Sequence, residues 1–240
     1  MPIKAVVFDL DGTLATFNLD YMTVRAEARS YLIKTGLPAS VLATNESIFD
    51  MLLKTEIFLK NNRKPTRTIN KVRNQVSAIA EKYELEAAKT TELLSGVVET
   101  LEALKKMGLK IGLCTINSDK STKYILKRFN ISKFFNAVTP RNKVKYVKPN
   151  TQHLEATLKA LHTNPKETIL VGDGPRDMHC AKELGVIAIG LSTQANSKKE
   201  LTDAGANYLI TSITDLPTLV QTNNKKSRTR TKKKRPEKST

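Results

Sequence analysis

The stretch Ile3-Lys4-Ala5-Val6-Val7-Phe8-Asp9-Leu10-Asp11-Gly12-Thr13-Leu14 decides the fold. Its first half is a short apolar run, and the run ends in acids and a glycine. That pattern predicts a buried strand that passes into a polar loop at its carboxyl end. Asp9 and Asp11 stand two residues apart, so on an extended chain their side chains point the same way, off the strand end. Such a pair repels itself unless a cation neutralises it or one acid is protonated. Hard oxygen donors beside a glycine turn suit Mg²⁺.

A second loop is built alike: Val171-Gly172-Asp173-Gly174-Pro175-Arg176-Asp177 follows the apolar run Thr168–Gly172. With both loops at one sheet edge, up to four carboxylates converge. An Asp often does no more than cap the next helix, but two acid-rich loops, each at a strand end, favour a metal site.

Between the loops the periodicity changes twice. From about Thr16 to Leu94 it is helical, with apolar faces in Tyr21–Lys34, Asn45–Lys60 and Thr68–Glu84. After Gly96, strands and helices alternate. The expected strands are Leu109–Thr115, Ala137–Thr139, Thr168–Gly172, Val186–Gly190 and Tyr208–Ile210. The expected helices are Val97–Met107, Ser118–Phe129, Gln152–His162, Asp177–Leu184, Lys198–Ala204 and Asp215–Gln221. Alternation at this spacing predicts an α/β fold: a Rossmann-like, doubly wound parallel sheet with its site at the strand carboxyl ends. The expected organisation is a catalytic core of residues 1–15 and 95–222, an all-helical inserted domain of 16–94, and a disordered basic tail of 223–240.

The chain has 240 residues, 40% of them hydrophobic, and 40 Lys+Arg against 23 Asp+Glu give a net charge of +17. That is enough apolar content for a core. No apolar run approaches the roughly 18–20 residues of a membrane span, and the first apolar stretch leads into acids, unlike a secretory signal. Two cysteines make no disulfide framework, which predicts a cytoplasmic protein. Nine cations and one acid in Lys225–Thr240 account for +8 of the charge. That tail has no large apolar residue to bury, so it is expected to remain unfolded.

The four strand-end motifs resemble the haloacid dehalogenase superfamily, a group of mostly Mg²⁺-dependent phosphohydrolases. Asp9-Leu10-Asp11-Gly12-Thr13 matches the first motif and Thr115 the second; Lys148-Pro149 matches the third, and Gly172-Asp173 with Asp177 the fourth. The resemblance covers residues 1–222, and the insert looks like the helical cap of the phosphoglycolate phosphatase-like branch.

The resemblance implies a phosphatase that hydrolyses a small phosphate monoester. Asp9 would be the nucleophile forming an aspartyl-phosphate, and Asp11 the acid and then the base. Mg²⁺ would bind Asp9, Asp173 and the backbone carbonyl of Asp11, with Asp177 an outer carboxylate or the partner of Lys148. Thr115 and Lys148 would hold the phosphoryl oxygens, and backbone N–H groups from Leu10 to Thr13 could complete the cradle. The cap would open and close on linkers near 15–20 and 92–96. An acid at position 11 favours phosphate-ester chemistry over dehalogenation, because an alkoxide leaving group needs a proton. Relatives often carry Asn directly after the second-motif Thr, whereas this chain has Thr115-Ile116-Asn117, and Gly174-Pro175-Arg176 also departs from the usual fourth motif. Asn117, Arg176, Thr16 and Tyr21 are candidate substrate contacts.

Two other readings compete. One is a phosphomutase of the same family. The other is a polyanion-binding protein with a secondary phosphatase site, binding nucleic acid non-specifically through its tail. A basic run without an acid, from Lys60 to Arg73, could also attract an anion, although it fits a solvated helix face as well. His153, His162 and His179 form no ligand set, and Cys114 and Cys180 read as core thiols. The expected partner is a small phosphorylated metabolite, with no membrane.

Overall fold

The computed structural model describes residues 1–16, 18–193 and 196–232. The chain divides into two compact units, Met1–Phe17 with Thr91–Thr240, and Asn18–Thr90. The expected insert of 16–94 is thus shortened at both ends. Its outer residues form a ribbon in which Ala15 pairs with Leu93 and Thr16 with Glu92, and this ribbon belongs to the first unit.

In chain order, β1 is Ala5–Phe8, β2 Ala15–Thr16, α1 Tyr21–Lys34, α2 Ile48–Asn61, α3 Thr66–Thr90 and β3 Glu92–Leu93. There follow α4 (Val97–Lys106), β4 (Lys110–Thr115), α5 (Asp119–Arg128), β5 (Ala137–Pro140), α6 (Thr151–Leu161) and β6 (Thr168–Gly172). The chain closes with α7 (Pro175–Leu184), β7 (Ile187–Leu191), α8 (Lys198–Ala204), β8 (Tyr208–Ile210) and α9 (Leu216–Lys232).

The first unit is a six-stranded sheet in the order β5-β4-β1-β6-β7-β8, and every neighbouring pair is parallel. β1 is central, with Ala5 level with both Lys110 and Thr168. All four of its residues are buried, as a strand covered on both faces requires. Ala5 and Val7 join Leu154, Leu158 and Leu161 of α6 and Met178, Cys180 and Ala181 of α7 in one apolar cluster. By alternation, Val6 and Phe8 point to the opposite face.

The second unit packs three helices around Val24, Ala28 and Leu32 of α1, Met51 and Leu59 of α2, and Val72, Val76 and Ala80 of α3. Side-chain bonds fix the helices to one another: Tyr83 Oη donates to Glu27 Oε2 at 2.5 Å, joining α3 to α1. Glu56 of α2 is buried and accepts from Arg73 of α3, and its other oxygen lies 2.8 Å from Lys60 Nζ.

Helix boundaries differ from expectation where the chemistry is local. Ser47 accepts from the Asp50 N–H and starts α2 later than Asn45, while Pro175 opens α7 two residues before Asp177. α3 continues six residues past Glu84, because Ala87 and Ala88 prolong its buried stripe with residues too small to register as hydrophobic.

The expected disordered tail from residue 223 is corrected at its start. α9 runs on to Lys232, its base anchored by buried Leu216 and Val220 and by the Ile3 N–H donating to Asn224 Oδ1 at 2.6 Å. Once such a nucleus exists, each further residue adds one backbone bond, and Lys and Arg are good helix formers. Burial is not needed to propagate it. The expectation for 233–240 falls outside the described residues. Among the described residues, no helix is long and apolar enough to cross a membrane.

Glu56→Ala should remove the shared acceptor between α2 and α3 and cost about 1–3 kcal/mol. Amide hydrogen exchange should accelerate across α2 and α3 more than across β1 and β6; uniform acceleration would contradict this local role.

Candidate active site

The site is assembled from the carboxyl ends of β1, β4 and β6. β1 ends as the Asp9 N–H bonds to Val171 O, and the chain then makes a tight turn in which Gly12 N–H donates to Ala15 O and Thr13 N–H to Leu10 O. Leu10 N–H donates to Asp9 Oδ1 at 2.8 Å. These three amides, expected to face a phosphate, are therefore engaged within the loop, since a turn this tight satisfies its own donors. Gly12 has φ +69°, and a Cβ there would lie 2.2 Å from Asp173 Oδ2. Only a glycine lets the second acidic loop come this close to the first.

Three carboxylates meet here. One oxygen from each of Asp9, Asp173 and Asp177 lies within 4.8 Å of the others. Thr13 Oγ1 donates to Asp173 Oδ1 at 3.3 Å, and Asp177, in the first turn of α7, fills space left by Gly172, where a Cβ would fall 2.4 Å from its Cγ. Burial first, and then the charge of Asp9, push Asp173 up to about 6.

Lys148 answers this negative charge. Its side chain is only 2% exposed, with Nζ 2.9 Å from Asp9 Oδ1 and 2.6 Å from Asp177 Oδ1. Burial would discharge the ammonium, but Asp177 and then Asp9 hold its pKa well above the ordinary lysine value. Burial also pushes Asp177 upward, with Lys148 opposing it.

On the β4 side, buried Thr115 accepts the Asn117 N–H at 3.2 Å and retains its own proton for another acceptor. Asn117, two residues after Thr115, reaches the site: its Nδ2 donates to Asp11 Oδ1 at 2.9 Å. The loop is braced by Arg141, whose backbone N–H donates to Asn117 O and whose Nη1 donates to Ile116 O, each at 3.1 Å.

A family model described as haloacid dehalogenase-like hydrolase matches residues 6–191. The chain belongs to the haloacid dehalogenase-like hydrolases. Among its relatives, the pyrophosphatase PpaX of Bacillus mycoides is 26% identical over 218 residues, 90% of this chain and 96% of that protein. PpaX of Halalkalibacterium halodurans is also 26% identical, over 92% of this chain and 98% of its own. Solved structures share the fold: a hydrolase from Pseudomonas syringae has a TM-score of 0.62 at 21% identity, covering 91% of this chain and 98% of that one. A HAD phosphatase from Thermococcus onnurineus has a TM-score of 0.58 at 23% identity, again covering 91% and 98%.

In this haloacid dehalogenase-like hydrolase, three carboxylates among the described residues gather around the Lys148 ammonium, so the cluster has more acid than base. Hard carboxylate oxygens at this separation fit a divalent cation such as Mg²⁺. Asp177, expected as an outer carboxylate or the partner of Lys148, pairs with Lys148 and lies beside Asp9 and Asp173. Asp11 stands apart from it, its carboxylate held by Asn117.

The remaining candidates are dispersed. Arg176 is partly exposed in the first turn of α7. Thr16 spends its hydroxyl on Glu92, donating to its carbonyl at 3.2 Å and accepting its N–H at 3.1 Å. Tyr21 opens α1 in the helical unit, 43% exposed.

The sequence reading missed two residues. Thr13 sits inside the first motif, so its proximity to the acids was legible there. His153 was not. It is fully buried on α6, with Nε2 3.0 Å from Thr139 O and Nδ1 accepting the Lys148 N–H at 3.4 Å. Burial, then the Lys148 charge, lower it to about 4, so its ring is neutral and couples β5 to the loop that carries Lys148.

Two outcomes follow from these contacts. His153→Phe keeps the bulk but orphans a buried N–H and a carbonyl, at a cost of about 1–3 kcal/mol by urea unfolding; unchanged stability would show the ring to be filler. Asp173, raised from 3.8 to about 6, contributes stability that is fully present below 3.8 and lost as pH rises through 6. In chelator, Asp173→Asn should therefore gain in Tm on the native protein as pH rises from 3.8 to about 6 and keep that gain above it. Mg²⁺ should restore the native protein's advantage.

Proposed function

We propose that this protein is a Mg²⁺-dependent phosphatase that hydrolyses a small phosphate monoester through an aspartyl-phosphate on Asp9. The observation that carries this reading is the buried Lys148 ammonium shared between Asp9 and Asp177, beside Asp173. Bound at Asp9, Asp173 and the backbone carbonyl of Asp11, with Asp177 beside them, Mg²⁺ would offset the repulsion between these carboxylates and an incoming phosphate.

The residues of the chain then have distinct tasks. Asp9 attacks phosphorus as the bond to the leaving oxygen breaks. Asp11 gives that oxygen a proton, then takes one from the water that cleaves the Asp9–phosphoryl bond and releases phosphate. Asn117 holds the Asp11 carboxylate in one orientation through the bond to Oδ1. Thr115 donates to a phosphoryl oxygen, and Lys148, already charged and in contact with the nucleophile, stabilises charge that grows on the phosphoryl group. The lysine needs no rearrangement to do so, because burial and two carboxylates fix it beforehand.

The specific relatives favour a second substrate class. Two proteins named pyrophosphatase match over more than nine-tenths of their own length, so inorganic pyrophosphate belongs beside phosphate monoesters as a candidate. The same residues serve both, since a phosphate leaving group also departs from phosphorus. A phosphomutase would instead pass the phosphoryl group to a sugar phosphate. The two free cysteines are buried, and burial pushes both thiols up to about 12, which suits a cytoplasmic protein whose thiols take no part in the reaction.

A panel of an aryl phosphate, sugar phosphates and inorganic pyrophosphate should release inorganic phosphate only with Mg²⁺ and not in excess chelator. Asp9→Asn should lower kcat by about 10⁴-fold or more, and Asp11→Asn by about 10²–10⁴-fold. Robust turnover by Asp9→Asn would rule out the covalent route. Transfer to a sugar phosphate in preference to water would select the mutase.

A further inference from the structure

We propose that the turn between α2 and α3 is a docking surface for a nucleic-acid phosphate backbone. Between Ile57 and Ala80 the chain has six cations and no acid: Lys60, Arg63, Lys64, Arg67, Lys71 and Arg73. Lys60 and Arg73 are engaged by Glu56. The other four, Arg63, Lys64, Arg67 and Lys71, are exposed, and among the described residues their side chains make no ion pair or hydrogen bond. Arg67 and Lys71 lie four residues apart on α3 and so on one side of it.

The dipole of α2 suits Arg63 and Lys64 beyond its carboxyl end, but helix stability does not account for Arg67 and Lys71. The amino end of a helix carries a partial positive charge, so cations there are unfavourable and acids are preferred. α2, α4, α5, α7 and α8 each place an acid in the first turn. α3, like α1, α6 and α9, has none; it has Arg67 in that turn and is preceded by Arg63 and Lys64. The backbone objects as well. Arg63 follows α2 at φ +53°, with its N–H bonded to Lys60 O and the Lys64 N–H to Leu59 O. Such a left-handed position favours glycine, which stands there after α4, α7 and α8 as Gly108, Gly185 and Gly205, whereas Asn130 after α5 and His162 after α6 share the conformation of Arg63. Arg67 is unfavourable to the dipole of α3 and Arg63 to its own backbone, and four exposed cations that make no ion pair or hydrogen bond among the described residues are complementary to a polyanion.

The neighbouring residues favour nucleic acid over an anionic membrane. Asn61, Asn62, Thr66 and Asn70 surround the cations with exposed hydrogen-bonding groups suited to phosphate and sugar oxygens. From Lys60 to Thr68 there is no aromatic or large aliphatic side chain to enter a bilayer or stack on a base; the nearest exposed one is Ile57. Binding would therefore be by phosphate alone, without sequence preference. The sequence from Lys225 onward, with nine cations and no aromatic residue, has the same character and would add a second contact.

The test is fluorescence polarisation of the full-length protein with a labelled duplex DNA, a labelled single-stranded RNA and anionic phosphatidylserine vesicles, across a salt series. Arg63→Gln/Lys64→Gln/Arg67→Gln/Lys71→Gln should weaken binding to both nucleic acids. For the duplex it should flatten the plot of log K against log salt by about 3–4, since each lost phosphate contact contributes about 0.9. Its Tm should be unchanged or higher. Arg63→Gly should raise Tm while flattening the same slope by about 0.9, a pairing of gain and loss that a structural role would not produce. Native-like binding by the fourfold variant would overturn the proposal, as would loss of all binding on substituting Lys225, Lys226, Arg228 and Arg230 alone. Equal or tighter binding to the vesicles, with the same sensitivity to the fourfold variant, would reassign the turn to a membrane surface.

Discussion

Everything at the carboxyl edge of the sheet depends on one buried ammonium. Lys148 could not remain charged in an apolar interior without Asp177 and Asp9, which hold its pKa well above the ordinary lysine value. Each ion makes the other tolerable, and the arrangement fails from either side. That mutual dependence explains why the supporting parts are so closely fitted. His153 couples the Lys148 backbone to β5 without adding charge of its own, because burial keeps its ring neutral. Gly12 and Gly172 leave the volume that Asp173 and Asp177 occupy.

The sheet order places this cluster. From central β1 the path goes outward to β4 and β5 on one side, then crosses to β6, β7 and β8 on the other. The connections after β1 and after its neighbours therefore diverge, and a crevice opens at the end of β1, between the loops that follow β4 and β6. Asp9 leaves the sheet at that point, with Thr115 on one side and Asp173 on the other. The chain reaches this geometry through parallel pairing alone.

How much could be read in advance varied with the range of the interaction. The strand before Asp9, the paired acids and the parallel sheet were legible, because periodicity and strand-end position are local properties. Lys148 and Thr115 were legible only through the resemblance, since neither residue type marks a site by itself. The role of His153 was hidden because the carbonyl it contacts belongs to Thr139, a strand away. α3 outran its expected end because Ala87 and Ala88 bury without appearing apolar, and α9 outran its end because helix propagation needs no buried face. Asn117 shows the converse: two residues after Thr115, it reaches Asp11 by its side chain.

The two-residue ribbon of β2 and β3 has a further consequence for the history of such chains. Because Thr16 pairs with Glu92, the segment between them leaves and rejoins the sheet unit at one place. Closing a long loop costs little more than closing a shorter one, as the entropy grows only with the logarithm of its length. Substitutions, insertions or a wholesale exchange of the helices between these two points would leave the strand register, and with it the spacing of the aspartates, undisturbed. The ribbon is thus a junction across which one part of the gene can drift while the chemistry on the other side stays fixed.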